Sequence, residues 1–519
     1  MVGFRGQSDP FRAFIRRHIS IIADSELALR CASVGSMITK LIFNWAKKTP
    51  DKTAVIYNGR PLSYHSFAQL IAVARGYFVR RGCVGPGYAV LAVGNLRDFW
   101  ILSLALRSLG LTTLAVRSVA DVAKVDLPNV RGVITSADET WTGLDGLCNE
   151  LGLSLLSVSL TGESALEPGV AEEPHPAGGH ILLTSGTTGA QKMVLMSPAF
   201  DAFLVRHRVE LFGINQDTVF CVFNLRASTG SGYGSPASTW TVGGAALIEQ
   251  GREAYQALLR PGITHAVLNP AMLANILTAP ASAFPRNDAM QLAVTGGAMT
   301  RTQVEQAKIR ITPRLFNYLA STETGGIALT RLDTPEDQKW HRLVPGRVVE
   351  IVDQSDRPVP TGEIGRVRVS TTGGPTSYLN DEAATRAFFK DGFFYTGDLA
   401  VMRSDGRMAL QGRITEVINV QGNKISPAPI ENRLAELFDV SGVCLFSIQN
   451  NAGEEEIHVV VEATTPIDSK CLVAALKREQ LYGFVHIYFI AALPRNQMGK
   501  VLRQVILAEV IGFQQAPVN

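Results

Sequence analysis

The run Ile181-Leu-Leu-Thr-Ser-Gly-Thr-Thr-Gly-Ala-Gln-Lys192 is an apolar strand that breaks into hydroxyls and glycines and closes on a lysine. Glycines let backbone N–H groups approach an anion, the hydroxyls of Thr184, Ser185, Thr187 and Thr188 donate hydrogen bonds, and Lys192 adds a point charge. By composition this is a loop that cradles a polyphosphate; taken alone, a Ser/Thr/Gly-rich surface turn is the alternative. The Walker arrangement is excluded, because it needs glycine directly before the lysine and here Ala190 and Gln191 intervene.

Outward from this loop the chain alternates short apolar runs with helical periodicity, the pattern of strands joined by crossover helices in a largely parallel sheet. A strand is expected at Thr53 to Tyr57, then a helix that starts at the N-cap Ser63 and carries Phe67, Leu70, Ile71, Ala74 and Phe78 at helical spacing to a stop at Gly82. A strand at Tyr88 to Val93, a helix at Phe99 to Leu109 and a strand from Leu111 follow, with further strands read at residues 130–136, 180–185, 265–270 and 291–297. After Glu350 the texture turns to β-hairpins. From about Ile414 a compact unit carries three strands around one helix near Leu472 to Leu481. The expected fold is α/β: a large N-terminal part of α/β sheets (1–411) with a β-rich subdomain (about 345–411), and a small mobile α+β C-terminal unit (412–519). The boundary near Gly412 is too short for a tether and suits a hinge.

The bulk properties narrow the function. A chain of 519 residues with 46% hydrophobic and 18% charged positions buries a large core. Its 49 basic and 46 acidic residues leave +3, with no charge run that reads as a nucleic-acid stripe. Cys31, Cys83, Cys148, Cys221, Cys444 and Cys471 are scattered without a CxxC pair or zinc-like His spacing, which points to a reduced, cytoplasmic protein without a structural metal. Nine dispersed histidines form no HExxH, and no GxSxG elbow occurs, so zinc and serine hydrolases have no support. No membrane span is expected, since the most apolar window, Trp100 to Val116, contains Arg107. No secretory signal is read at the N-terminus. Residues 11–22, FRAFIRRHISII, form a basic amphipathic segment, read as a first helix docked on the body or as a contact with a membrane surface.

The loop TSGTTGAQK resembles the signature loop of the adenylate-forming superfamily: acyl- and aryl-CoA synthetases, nonribosomal peptide synthetase adenylation domains and luciferases. Further matches follow in that family's order at Leu319-Ala-Ser-Thr-Glu323, Tyr395-Thr-Gly-Asp398, Gly412-Arg413, Gly422-Asn-Lys-Ile-Ser-Pro427 and Pro494-Arg-Asn-Gln-Met-Gly-Lys500. The resemblance spans about residues 45 to 510. It implies that Thr184, Ser185, Gly186, Thr187, Thr188, Gly189 and Lys192 hold the ATP phosphates. Thr322 would contact the α-phosphate, Glu323 would bind Mg²⁺, Asp398 would accept the ribose hydroxyls, and Arg413 would add a donor nearby. Lys500 would be the mobile lysine of the adenylation step, the hinge would lie at Thr415, and Gly422 and Lys424 would face the thiol. Such a site must neutralise charge, because a carboxylate attacking a phosphate is an anion approaching an anion.

Departures from the pattern bear on substrate. The adenine-stacking aromatic is replaced by Leu319, so adenine is expected on an aliphatic surface or on Tyr318. Thr415, beside Glu416, replaces the usual hinge Asp or Lys, and Pro429 replaces an acid of the following loop. Ala227, beside Arg226, stands where many relatives carry a histidine. Gly230-Ser-Gly232-Tyr-Gly234 lacks dinucleotide spacing and is read as a pocket-lining loop; Asn224, Ser228, Tyr233, Gly296 and Gly297 are the candidate acyl-pocket residues. The implied activity is an ATP- and Mg²⁺-dependent acid:thiol ligase acting on a small carboxylic acid, with coenzyme A as acceptor. The alternatives are a ligase loading an acyl carrier protein and a non-catalytic relative.

Overall fold

The computed structural model describes residues 37–160, 177–184, 192–223, 225–251, 253–420, 423–450, 455–463, 467–479, 481–482, 484–495 and 501–515. Of the residues singled out above, the 11–22 segment, Cys31, Ser185 to Gln191, Asn224, Gly422 and Lys500 lie outside them.

The alternation of strands and helices resolves into two parallel-core sheets. One has eight strands in the order Gly325–Arg331, Leu315–Ser321, Gln291–Thr295, His265–Leu268, Val219–Phe223, Ala245–Glu249, Thr53–Tyr57, Arg60–Ser63, antiparallel only at its two edges. The other runs Leu155–Val158, Val130–Ser136, Gly87–Leu91, Leu111–Ala115, His180–Thr184, Lys192–Met196, with only the last pair antiparallel. Thr53–Tyr57, the first strand in the chain, therefore pairs with Ala245–Glu249. Periodicity had grouped it with the strands that directly follow, but it carries no information on which sheet a strand joins.

Between the sheets lies a helical layer of Met37–Lys48, Tyr64–Val79, Leu96–Ser108 and Gly230–Thr241. Phe67, Trp100 and Trp240 join Leu91 and Leu182 of one sheet and Ala246 and Ile248 of the other in one core cluster. The Trp240 ring lies 4.9 Å from that of Trp100, and its indole N–H donates to Ala54 O at 2.8 Å. Fully burying such a ring contributes roughly 2–3 kcal/mol, and the N–H is satisfied without water. Ser63 caps its helix by accepting from Ser66 N. The helix expected at Phe99 begins at Leu96, because Asn95 accepts from the N–H groups of Arg97 and Asp98.

The hairpin region forms an antiparallel sheet of His341–Arg342, Arg407–Arg413, Phe393–Met402, Ile364–Ser370 and Val349–Val352. The last unit has a three-stranded sheet of Gly442–Gln449, Glu455–Glu462 and Val485–Ile490 and a short hairpin, Ile418–Val420 with Asn423–Ile425, but three helices among its described residues where one was expected: Pro427–Phe438, Ser469–Arg478 and Arg503–Gln515. One face of its sheet packs Val459 and Val461 against Leu434 and Leu472, and the other packs Phe446 and Val460 against Ile506 and Val510. A single helix would leave the second face bare. Among the described residues, no helix is long and apolar enough to cross a membrane.

Candidate active site

Thr184 and Lys192 face each other across the antiparallel strands His180–Thr184 and Lys192–Met196, so the glycine-rich loop leaves and returns at one rung. The Lys192 ammonium lies 4.3 Å from the Phe388 ring centroid and 5.3 Å from that of Tyr378. Ring faces attract a cation without neutralising it, so the charge stays available to an anion. Tyr378 reaches this place because Leu379 N donates to Met193 O at 2.9 Å, which adds a short bridge to the edge of the second sheet.

The Tyr378 hydroxyl donates to Glu323 Oε1 at 2.6 Å. Burial, then the Glu323 charge, pushes this phenol well above its ordinary range, so it remains a donor. Glu323 sits in the turn between Leu315–Ser321 and Gly325–Arg331, where Thr324 N donates to Ser321 Oγ at 3.1 Å. Thr322 shares that turn, partly buried. Gly325 has φ +76°, and a Cβ there would stand 2.5 Å from Leu204 Cδ2, so only glycine closes the turn that presents the carboxylate. Glu323 is 6% exposed, and among the described residues no cation lies within ion-pair distance of it. A buried carboxylate with one neutral donor is undercompensated, and a hard divalent cation such as Mg²⁺ fits it.

Asp398 is aimed by a bulge. Arg366 pairs with Leu399 and Arg368 with Tyr395, so Thr396, Gly397 and Asp398 together oppose Val367. Gly397 takes φ +78° within it. On the other side Asp398 pairs with Arg413, whose Nε is 3.0 Å from Asp398 Oδ1 and whose Nη1 donates to Thr396 O at 2.7 Å. Both side chains are partly exposed. The structure thus joins two residues taken from separate sequence matches.

Leu319 is half-buried and packs on a core cluster that joins Ile327 of the eight-stranded sheet to Val367 of the hairpin sheet. Tyr318 is fully buried, its ring 5.2 Å from Phe212, so in this arrangement it offers no platform for adenine.

The candidate acyl residues divide. From Val219–Phe223 the chain crosses to Ala245–Glu249 on one side and then to His265–Leu268 on the other, making the carboxyl end of the first strand a switch point. There Ser228 O accepts from Leu183 N at 3.1 Å, tying the two sheets at the mouth of the phosphate loop. Ala227 and Ser228 are buried, Arg226 is exposed, and Gly296 and Gly297 follow the carboxyl end of Gln291–Thr295. Tyr233 is elsewhere. Its hydroxyl donates to Asp201 Oδ2, on the helix Pro198–Phe212, at 3.0 Å and accepts from buried Arg107, and His180, from the strand His180–Thr184, stacks on its ring at 3.7 Å, all in the buried core. The stretch Gly230 to Gly234 is no loop: it opens the helix Gly230–Thr241, where Thr229 caps Gly232 N. Helix packing outweighed the low propensity of its glycines.

Thr415 is exposed in a short turn, Ile414–Glu416, whose Glu416 lies 3.4 Å from Arg503. Lys424 is exposed on a hairpin opposite Asn419, and Pro429 lies in the first turn of Pro427–Phe438. Sequence reading missed Tyr378 and Phe388, which align with none of the matched stretches. It also missed Arg347, whose Nε donates to Gly326 O at 3.1 Å beside the Glu323 turn while Nη2 has no partner among the described residues.

Residues 149–379 match the model of the AMP-binding enzyme family. A salicylyl-CoA synthase / salicylate adenylyltransferase from Streptomyces sp is 26% identical over 90% of this chain and 92% of its own. A probable non-canonical nonribosomal peptide synthetase from Salinispora arenicola is 25% identical over 96% of this chain, which is 7% of that protein. Among solved structures, ATP-bound MatB from Rhodopseudomonas palustris superposes with TM-score 0.78 at 19% identity, over 92% of this chain and all of that one, a likeness of fold.

Proposed function

We propose that the chain is an AMP-binding enzyme of the adenylate-forming kind, a reading supported by the family match over residues 149–379 and by the salicylyl-CoA synthase, and that it acts as an ATP-dependent acid:thiol ligase on a small carboxylic acid. The observation that carries the reading is the meeting at Tyr378 of a buried, undercompensated carboxylate, Glu323, and an ammonium, Lys192, at the root of a loop of hydroxyls. A carboxylate oxygen of the substrate attacks the α-phosphorus of ATP, and the bond to the β-phosphate oxygen breaks, giving acyl-adenylate and pyrophosphate. Lys192, with Thr184, Ser185, Thr187 and Thr188, opposes the charge of the leaving phosphates. Mg²⁺, when bound, neutralises phosphate oxygens, and Glu323 is the residue that would hold it. Asp398, fixed by Arg413, accepts from the ribose hydroxyls. Ser228, Gly296 and Gly297 line the acid.

Residues 412–519 then act as a lid that turns about Arg413 to Thr415. Lys500 serves the first half-reaction, and Gly422 and Lys424 face the thiol in the second. The thiol sulfur attacks the acyl carbon, its proton is lost and AMP leaves, giving a thioester. Coenzyme A is the acceptor by analogy with the salicylyl-CoA synthase. The relationship to a stretch of a nonribosomal peptide synthetase favours a second reading, in which the thiol is a carrier-protein phosphopantetheine.

The test is mass-spectrometric detection of acyl-AMP and acyl-CoA after incubation with MgATP, coenzyme A and a panel of aliphatic and aromatic acids. Acyl-CoA supports the first acceptor. Acyl-AMP alone supports the second, and neither product across the panel overturns the ligase. Lys500→Ala is expected to lose at least about 10²-fold in adenylation while still converting supplied acyl-AMP to thioester; wild-type adenylation in the variant removes Lys500 from the site.

A further inference from the structure

Three rings stack along one rung of the C-terminal sheet, on the face covered by the last helix. Phe446 pairs with His458 across antiparallel strands, and His458 pairs with His486 across parallel ones. Their centroids lie 5.5 and 4.6 Å apart with near-parallel planes. Two residues before His458, and so on the same face, Glu456 brings Oε2 to 2.8 Å from His486 Nε2, while Asn450 donates to its other oxygen at 3.1 Å. Two residues beyond His486, the Tyr488 hydroxyl lies 3.2 Å from His458 Nδ1. His458 is fully buried, yet its Nε2 has no hydrogen-bond partner among the described residues. A buried ring nitrogen left unpaired costs free energy and calls for an occupant.

We propose that Glu456, His458 and His486 form a binding site for a divalent transition-metal ion of the zinc class. One ligand atom from each lies within 4.8 Å of the others. A tetrahedron with bonds of about 2.0–2.2 Å has edges of roughly 3.4 Å, so closing the site takes shifts of about an ångström together with rotation of one of the two near-parallel imidazoles, whose in-plane lone pairs must converge on the ion. Two imidazoles and one carboxylate select zinc, nickel or copper over magnesium, which sets this ion apart from the one Glu323 would hold. In the tautomer whose Nδ1–H donates to Tyr488, His458 Nε2 keeps the lone pair a metal needs, and the phenol is the outer group that fixes the ring. Glu456 and His486 stand at a partly exposed rim, from which the ion and a fourth, water ligand enter. The ion would clamp the edge strand Val485–Ile490 to its neighbour. Chain spacing carries no sign of this site, because its histidines are brought together by strand register.

The test uses the full-length protein, stripped of metal and titrated with Zn²⁺ alone by calorimetry, in parallel with Co²⁺ followed by visible absorption. One equivalent is expected, with a rise in melting temperature. His486→Asn and Glu456→Gln, both at the rim, are each expected to weaken binding at least about 10-fold and to abolish the melting shift, with adenylation retained as the check of folding. Cys471→Ser, which removes an exposed soft ligand, is expected to bind as the wild type does. Absence of binding, binding unchanged in both rim variants, or binding lost in Cys471→Ser overturns the site.

Discussion

Two places in this molecule set a tyrosine hydroxyl against a buried carboxylate, and they treat the charge in opposite ways. At Asp201, Tyr233 donates at 3.0 Å and Arg107 closes an ion pair at 2.6 Å, with all three side chains buried. At Glu323, Tyr378 donates at 2.6 Å, but Lys192 stands over the tyrosine ring and forms no ion pair with the carboxylate. The first cluster is complete and supports the fold. The second is one cation short, which is what a site for a metal ion and phosphates requires before its ligands arrive. Burial alone does not mark a site; the difference is whether the charge has been cancelled.

The largest expected effect is on the complete cluster. Arg107→Met strands Asp201 and should lower stability by about 3–5 kcal/mol, measured by denaturant unfolding; a loss below about 1 kcal/mol would mean that the pair does not hold the helical layer. Next comes Glu323→Gln. It should reduce acid-dependent ATP–pyrophosphate exchange by about 10²–10³-fold with stability within about 1 kcal/mol of wild type, and equal losses of both would erase the contrast.

The two tyrosines sharpen it further. Tyr378→Phe should weaken the apparent affinity for Mg²⁺ in adenylation by about 10–100-fold, as loss of a group orienting a metal ligand does. Tyr233→Phe should instead cost about 1–3 kcal/mol of stability and leave that affinity alone. Smallest is the pH effect at the complete cluster. Burial, then the Arg107 charge, holds His180 well below its ordinary value. The unfolded chain takes up this proton near pH 6.5 and the folded chain does not, so stability is full above that pH and falls below it. Between pH 7 and 5.5 the loss from this ring is about 1 kcal/mol, and His180→Phe should remove that part of the slope in pH-dependent melting.

The contrast also explains what was legible in the chain. Thr184 and Lys192, Glu323 with Thr322, and Asp398 could be singled out as candidates because each sits in a short contiguous stretch: a strand feeding a loop, a tight turn, a bulged strand. Tyr233 was read as a pocket residue from its place in a glycine-rich run. It is locked into the core by Arg107 and Asp201, which are distant in sequence and carry no local sign of their partnership. Tyr378 was not singled out at all, since its role arises from the bridge between Leu379 and Met193. Asn95 shows the same limit at smaller scale: its cap moved a helix start by three residues.

The sequence by itself determined the α/β class, many of the strands, and the local stretches that hold the candidate phosphate-, metal- and ribose-binding groups, because hydrophobic period, turn chemistry and short motifs act over a few residues. Only the tertiary structure decided which sheet Thr53–Tyr57 joins, that Glu323 and Lys192 meet at Tyr378, and that Tyr233 belongs to the core and His458 to a cluster with His486. Those outcomes depend on strand register and on whether a buried charge finds its counter-ion. Both are settled by contacts between distant segments, whose energies no local pattern records.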